Sequence, residues 1–225
     1  MFFKYLAYNN QKVFWNNKRE RRKPDHPVIQ AFVEPKIRCI EETIKKRSLS
    51  KRLSLLDIGC GNGFFTYYFE RIYDTTALDF SIYMLKNNHC HKRIYGSATT
   101  LPFSDGSFDI TFCSNLLHHL DNHEDAVLEM KRVSRKYLVL SEPNRNNPLM
   151  FLFGLLKKEE RGTIRFSLEY MKKLMNTAGL NLILITSIGA ILPNKTPKFA
   201  LPVLKKFDSQ FPCAFYNIAI SEKIK

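Results

Sequence analysis

No apolar run in this chain approaches the 18 or so residues that a membrane-spanning helix needs. The longest lie near Leu149–Leu156 and Leu180–Leu192, so a spanning anchor is not expected. Cysteine is sparse and scattered. None of Cys39, Cys60, Cys90, Cys113 and Cys213 forms a C-x-x-C pair, which speaks against a zinc ribbon, a thioredoxin-type redox pair or a disulfide framework. His89-Cys90-His91 has no second cluster at ligand spacing, so no metal is expected. Met1–Leu6 is too short and too polar for a secretory leader, and the odd cysteine count then points to reduced thiols and a cytoplasmic setting. Repeats and low-complexity tracts are also missing, and 225 residues with 44% apolar content read as one ordinary globular domain. Acidic residues are few: 21 against 35 Lys and Arg, a formal charge of +14. Fourteen cations against five acids fall within residues 1–52. A basic front end suits anionic partners such as lipid head groups, an acidic substrate or nucleic acid, and it equally suits a solvated helical face.

What is present centres on Leu53–Thr66. An apolar run of strand length ends in Asp57-Ile58-Gly59-Cys60-Gly61-Asn62-Gly63, and Phe64–Phe69 then reads as a helix start. Strand, glycine turn and helix in that order open a nucleotide-binding unit, in which free N–H groups of the helix start face the ligand. The spacing is G-x-G-x-G, not that of dinucleotide enzymes. Asp57 would repel a pyrophosphate but suits an ammonium, and S-adenosylmethionine carries an ammonium and no phosphate. Asp57 could instead simply cap the turn.

The rest alternates. Residues 28–47 have helical apolar spacing. Strands are expected at Thr75–Phe80, Lys92–Ala98, Phe108–Asn115 and Lys136–Ser141, with helices at Ser81–Asn88 and 122–134 between them. After the apolar stretch Leu149–Leu156 come a helix at Ser167–Thr177, a strand at Leu180–Ser187, a short helix at 203–207 and a strand at Ala214–Ser221. The expected fold is α/β: a Rossmann-like, doubly wound, mostly parallel seven-stranded sheet with an antiparallel edge strand, its ligands at the strand carboxyl ends.

Four stretches in this order carry a family resemblance. They are Leu56–Gly63; Leu78-Asp79-Phe80-Ser81 with Met84-Leu85; Gly96–Asp109, which includes Leu101-Pro102-Phe103; and Leu116-Leu117-His118-His119-Leu120. From about Leu53 to Gly179 the chain resembles the class I S-adenosylmethionine-dependent methyltransferases, in the small-molecule group of the ubiquinone and menaquinone enzymes (methyltransferase type 11). The resemblance implies an enzyme with S-adenosyl-L-methionine as cofactor, held by Asp57, Gly59, Cys60, Gly61, Asp79, Phe80, Met84, Ser97, Ala98, Asn115 and Leu116. Asp79, about twenty residues after Asp57, would bond the ribose hydroxyls. Ile82, Tyr83 and Met84 would flank the adenine, and Asn115 and Leu116 would face the sulfonium. The family usually has Gly-Asp-Ala before Leu-Pro-Phe; here Gly96-Ser97-Ala98 lacks the carboxylate, and a neutral acceptor is weaker.

Methyl transfer is largely positioning, helped by a base if the acceptor is a phenol, enol or hydroxyl. His118, His119 and Glu142 are the catalytic candidates; each could instead be structural, the histidines in their turn and Glu142 bonded to the turn that follows. The resemblance divides the chain into a helical lid segment at 1–47 and a methyltransferase domain at 48–225 with a lid insert at about 145–166. The lid would hold Tyr5, Tyr8, Phe14 and Trp15 and a cluster of cations from Lys18 to Lys23. Its basic flanks and apolar insert suit a small-molecule acceptor that is amphipathic or lipid-like, with an anionic group, and peripheral contact with the inner membrane face. Two other readings stay open: an RNA methyltransferase, for which no base-flipping motif is visible, and a non-catalytic S-adenosylmethionine-binding regulator.

Overall fold

The computed structural model describes residues 8–17, 21–47, 52–207 and 210–224. Tyr5, Lys18 and Arg19 lie outside them. Two helices, α1 (Tyr8–Asn17) and α2 (Pro27–Lys45), precede the sheet. His26 starts α2: its Nδ1 accepts the Val28 N–H at 3.1 Å, and Pro27 fills a first-turn position that needs no donor. The glycine unit follows as β1 (Ser54–Ile58) and a short α3 (Thr66–Phe69). Phe64 and Phe65, expected to open that helix, belong instead to the turn before it.

Next come β2 (Asp74–Asp79), α4 (Ile82–Lys86), β3 (Lys92–Tyr95), β4 (Phe108–Ser114), α5 (His123–Val133) and β5 (Ser134–Pro143). The apolar insert is a helix, α6 (Pro148–Leu156), capped by Asn147, and α7 (Leu168–Thr177) is capped by Ser167. β6 (Leu180–Ile188), the four-residue α8 (Leu201–Leu204) and β7 (Tyr216–Lys223) complete the described chain.

The seven strands form one sheet in the order β3-β2-β1-β4-β5-β7-β6. The first five run parallel; β7 is antiparallel to both its neighbours, β5 and β6. The antiparallel strand thus lies one place in from the edge, where Ile218, Ala219 and Ile220 are wholly buried. Strand order reverses between β1 and β4, so the carboxyl ends of these two strands open a crevice.

The core has two faces. On one, α2 and the glycine unit cover the sheet; on the other, α5 and α7 do. Phe112 of β4 packs its ring 4.8 Å from Phe65 and 4.9 Å from Phe69, which pins the glycine turn to the sheet centre. The long stretch 96–109 is braced from α5. Arg132 donates to the carbonyls of Leu101 and Phe103 and to Asp105, while Glu129 accepts the Leu101 N–H at 2.8 Å. β3 stops at Tyr95, short of the expected Ala98, because the chain turns there into a Ser97–Thr100 bridge.

If Phe112 anchors the turn, Phe112→Ala removes a fully buried ring facing two others. It is expected to cost about 3–5 kcal/mol of stability, measured by urea unfolding followed with circular dichroism.

Candidate active site

The crevice is a cavity of about 660 Å³, within the size range of small-molecule sites. One wall is the glycine turn. Gly61 has φ +53°, and a Cβ built there would meet only Arg21 Nη1, at 3.8 Å, so the missing side chain leaves open space for a ligand. The free N–H groups expected at this turn are partly committed. Gly59 and Cys60 both donate to the Leu78 carbonyl, at 2.8 and 3.1 Å, and Gly61 donates to Asp79 Oδ2 at 2.8 Å.

Asp79 ends β2. Its Oδ1 accepts the Ser81 N–H at 2.8 Å, while Ser81 Oγ accepts from Met84 N–H and caps α4. The carboxyl therefore holds two turns and faces the cavity with its remaining lone pairs. Burial pushes its pKa up, against the pull of the Ser81 and Gly61 hydrogen bonds and the Arg21 charge. Asp57, at the end of β1, is buried and accepts the Thr66 hydroxyl at 2.6 Å. Burial raises its pKa to about 7 despite that bond, and the Asp79 charge adds to the rise.

Arg21 comes from the segment before α2 and stands against the glycine turn. Its guanidinium carbon lies 5.3 Å from the Trp15 ring centre and 5.0 Å from that of Phe64. Its Nε is buried and has no hydrogen-bond partner. The front segment, expected only as a cover for the acceptor, thus also reaches the glycine side of the cavity. Arg22 fastens it there by donating to the Pro193 carbonyl at 2.9 Å.

The opposite wall follows β4. Asn115 turns the chain with φ +52°, a conformation few non-glycine residues adopt. The next two N–H groups, of Leu116 and Leu117, both donate to Glu142 Oε1, at 2.9 and 2.8 Å. Glu142 Oε2 meets His118 Nδ1 at 2.6 Å, and His118 Nε2 meets Glu160 Oε2 at 3.2 Å. Burial alone would lower the His118 pKa, but the Glu142 charge and hydrogen bond, with Glu160, overcome it and lift the value to about 9. His118 is thus an imidazolium shared by two carboxylates.

His119 is the reverse case. Burial and the neighbouring His118 charge push its pKa down to about 3, so the ring is neutral. A hydrogen bond to the Glu159 backbone occupies one ring nitrogen, and Nδ1 has no partner. Trp15 covers the ring edge-on at 5.1 Å. His118, His119 and Glu160 bring ligand-type atoms within 4.8 Å of one another; the His118–Glu160 hydrogen bond accounts for the closeness of those two.

The candidate residues separate into three groups. Asp57, Gly59, Cys60, Gly61, Asp79, Phe80, Met84, Asn115, Leu116, His118 and His119 all line the one cavity. Ser97 and Ala98 line a separate hollow of about 10 Å³ behind Gly59, Asp79 and Leu116, and Ser97 Oγ is engaged with Thr99. Glu142 is wholly buried behind the wall and does not reach the cavity. Ile82, expected near the adenine, points outward and is exposed. Glu160 was not foreseen: it lies in the insert, in no motif. Gly162 nearby offers the only sequence hint, since a Cβ there would collide with the His118 carbonyl.

Residues 56–139, rather more than a third of the chain, match the family described as "Methyltransferase domain". The demethylmenaquinone methyltransferase of Renibacterium salmoninarum is 37% identical over 86 residues, 36% of either chain. The malonyl-[acyl-carrier protein] O-methyltransferase of Buchnera aphidicola is 34% identical over 88 residues, 37% of this chain and 36% of that one. The match therefore spans well under half the length of these curated relatives. A SAM-dependent methyltransferase from Thermotoga maritima, titled a possible histamine N-methyltransferase, superposes with a TM-score of 0.62 at 17% identity. That superposition covers 87% of this chain and 99% of the other, and it establishes the fold. The chain has the class I SAM-dependent methyltransferase fold, and residues 56–139 are the span that matches the methyltransferase family. The cofactor this class implies is S-adenosylmethionine.

The His118–Glu142 pair makes a pH prediction. The folded-state pKa of about 9 lies above the ordinary 6.5, so its stabilisation is complete below about pH 6.5 and is lost as pH rises through 9. Unfolding free energy should fall by roughly 3 kcal/mol across that window. Glu142→Gln should flatten the pH dependence and cost about 3–5 kcal/mol at neutral pH, both read from urea unfolding at several pH values.

Proposed function

We propose that the chain transfers a methyl group from S-adenosylmethionine to a small, amphipathic acceptor through an acidic oxygen or carbon. The observation that carries this is one cavity whose lining combines a polar and an apolar set of side chains. Asp57, Gly61, Asp79 and Arg21 form the polar set, and Phe32, Phe65, Met150, Phe153 and Leu192 supply the apolar one.

The polar set fits the cofactor. Asp57, a buried carboxyl with one hydroxyl partner, would take the ammonium, and the unpartnered Arg21 Nε would take the carboxylate. Asp79 has lone pairs left for ribose hydroxyls, and Gly61 gives room at the backbone. When bound, S-adenosylmethionine supplies a methyl group already on a good leaving group. The chain has to hold the acceptor in line with it and exclude water. Trp15, from the front segment, and Met150 and Phe153, from the insert, line the cavity and would serve that second task. The front segment before α2 and residues 145–166 would thus act as the lid, while α2 of the expected 1–47 lid packs on the sheet as core.

His119 defines the acceptor chemistry. With a pKa of about 3 its ring is a poor proton acceptor but a good hydrogen-bond acceptor. It would orient an O–H rather than deprotonate it. That suits an acceptor acidic by itself, such as a phenol, enol or carboxyl group, better than an aliphatic alcohol. Glu142 acts as a positioning residue, through His118 and the Leu116 turn. Relatives named for demethylmenaquinone and for malonyl-[acyl-carrier protein] support an acceptor of this kind.

Calorimetry with S-adenosylhomocysteine tests the reading. Arg21→Met should weaken binding about ten- to a hundredfold, the range for a charged hydrogen bond, while the fold is kept. Wild-type affinity in that variant would remove Arg21 from the site. A cationic ligand requires Asp57 ionised, so affinity should hold above pH 7 and fall up to about tenfold per unit below it. Binding at pH 7 should release a proton, seen by comparing buffers of different ionisation enthalpy. Affinity that is constant from about pH 5.5 to 8 would place the ammonium elsewhere.

A further inference from the structure

Helix α6 carries no charged residue in Pro-Leu-Met-Phe-Leu-Phe-Gly-Leu-Leu, yet most of it faces solvent. Leu149, Phe151, Leu152, Leu155 and Leu156 are all exposed, Leu156 by 73%. Only Met150 and Gly154 are buried, and Met150 and Phe153 point into the cavity. A second stretch behaves alike. Leu192–Lys195 line the same cavity, and the chain beyond them exposes Phe199 by 85%, with Val203 and Phe207. Two apolar ridges therefore run outward from the rim of one cavity. Water leaves such surfaces readily, and monomeric proteins rarely display them without a partner.

The charges beside the ridges say what that partner is. No acidic residue occurs from Arg145 to Lys158, and none from Met171 to Phe207. Exposed Lys157 and Lys158 follow α6, and exposed Lys195, Lys198, Lys205 and Lys206 flank the second ridge. Exposed leucine and phenylalanine edged by lysine, without acids, is the pattern of helices that lie in the interface of an anionic membrane. A second copy of a chain with charge +14 would set lysine against lysine on the same face. We propose that α6 and residues 198–207 seat the protein on an anionic lipid surface, with the mouth of the cavity at the bilayer. An acceptor dissolved in the membrane would then reach the apolar side chains of the cavity without crossing water. This deepens the amphipathic-acceptor reading and rests on it for its purpose, although the docking itself needs only the surface.

The test is co-sedimentation of the full chain with vesicles of phosphatidylcholine alone or with about 30 mol% phosphatidylglycerol, at about 0.1 M and 0.5 M salt. Binding to the anionic vesicles should be at least about tenfold tighter than to the neutral ones and should weaken at high salt. Leu152→Glu with Leu156→Glu, and separately Lys157→Glu with Lys158→Glu, should each reduce it about tenfold or more, with S-adenosylhomocysteine affinity unchanged. If the leucine pair does not fold, Phe199→Ser with Val203→Ser tests the second ridge. The proposal is overturned if anionic vesicles do not bind the protein, or if binding ignores all of these substitutions. It is equally overturned if the leucine pair merely splits a dimer in sedimentation equilibrium and leaves lipid binding intact. Lipid binding without any affinity for S-adenosylhomocysteine would sink the methyltransferase reading and leave the docking standing.

Discussion

One buried carboxylate holds the β4 wall of the cavity together. Glu142 ends β5, and its two oxygens take the N–H groups of Leu116 and Leu117 and the Nδ1 proton of His118. The Asn115 N–H adds a further tie between the turn after β4 and the neighbouring strand, donating to the Ser141 carbonyl at 2.8 Å. That turn sets Leu116 against the glycine loop, places His119 in the cavity, and offers His118 Nε2 to Glu160 of the insert. A buried carboxylate with three donors is costly to disturb, because each donor would be left buried and unpaired. The insert is thereby docked on the domain through His118, with Gly162 allowing the closest approach.

The cavity's electrostatics follow from the same economy of partners. Asp57, Asp79 and Glu160 line it, together with the cations Arg21, Lys195 and the His118 imidazolium. Asp57 has only a hydroxyl partner and sits near neutrality, so a ligand cation arriving beside it would complete a pair that the folded chain leaves open. Arg21 mirrors this with an unpartnered Nε. A zwitterion would satisfy both at once.

Most of the fold could be read from residue patterns, for local reasons. Apolar runs of strand length, Gly179 with φ +64° after α7, and Ser and Asn caps all mark element ends through backbone chemistry. The expected antiparallel strand is present; its place inside the edge depends on pairing with β5, which no local signal encodes. Within the stretch 96–109, Leu101–Asp105 is a brace gripped by Arg132 and Glu129, while Ser97 and Ala98 line the small hollow behind Gly59 and Asp79. The regularity of the brace reflects packing. Glu160 escaped notice, and Arg21 was read only within a cation cluster facing the acceptor, because their places at the cavity arise from long-range closure: a carboxylate in a charged insert and one cation among five look alike in one dimension. His118 and His119 were legible as a pair, but their opposite charge states come from burial and from Glu142, which sequence spacing does not show.

The central claim is that the crevice between β1 and β4 holds the adenosyl cofactor. A crystal structure with S-adenosylhomocysteine tests it most directly. The account predicts ribose hydroxyls within hydrogen-bonding distance of Asp79, the ammonium beside Asp57 and the carboxylate at Arg21, with the sulfur opening toward His119 and the apolar side chains. Density for the ligand elsewhere, or its absence at saturating concentration with the cavity filled by side chains, would contradict it.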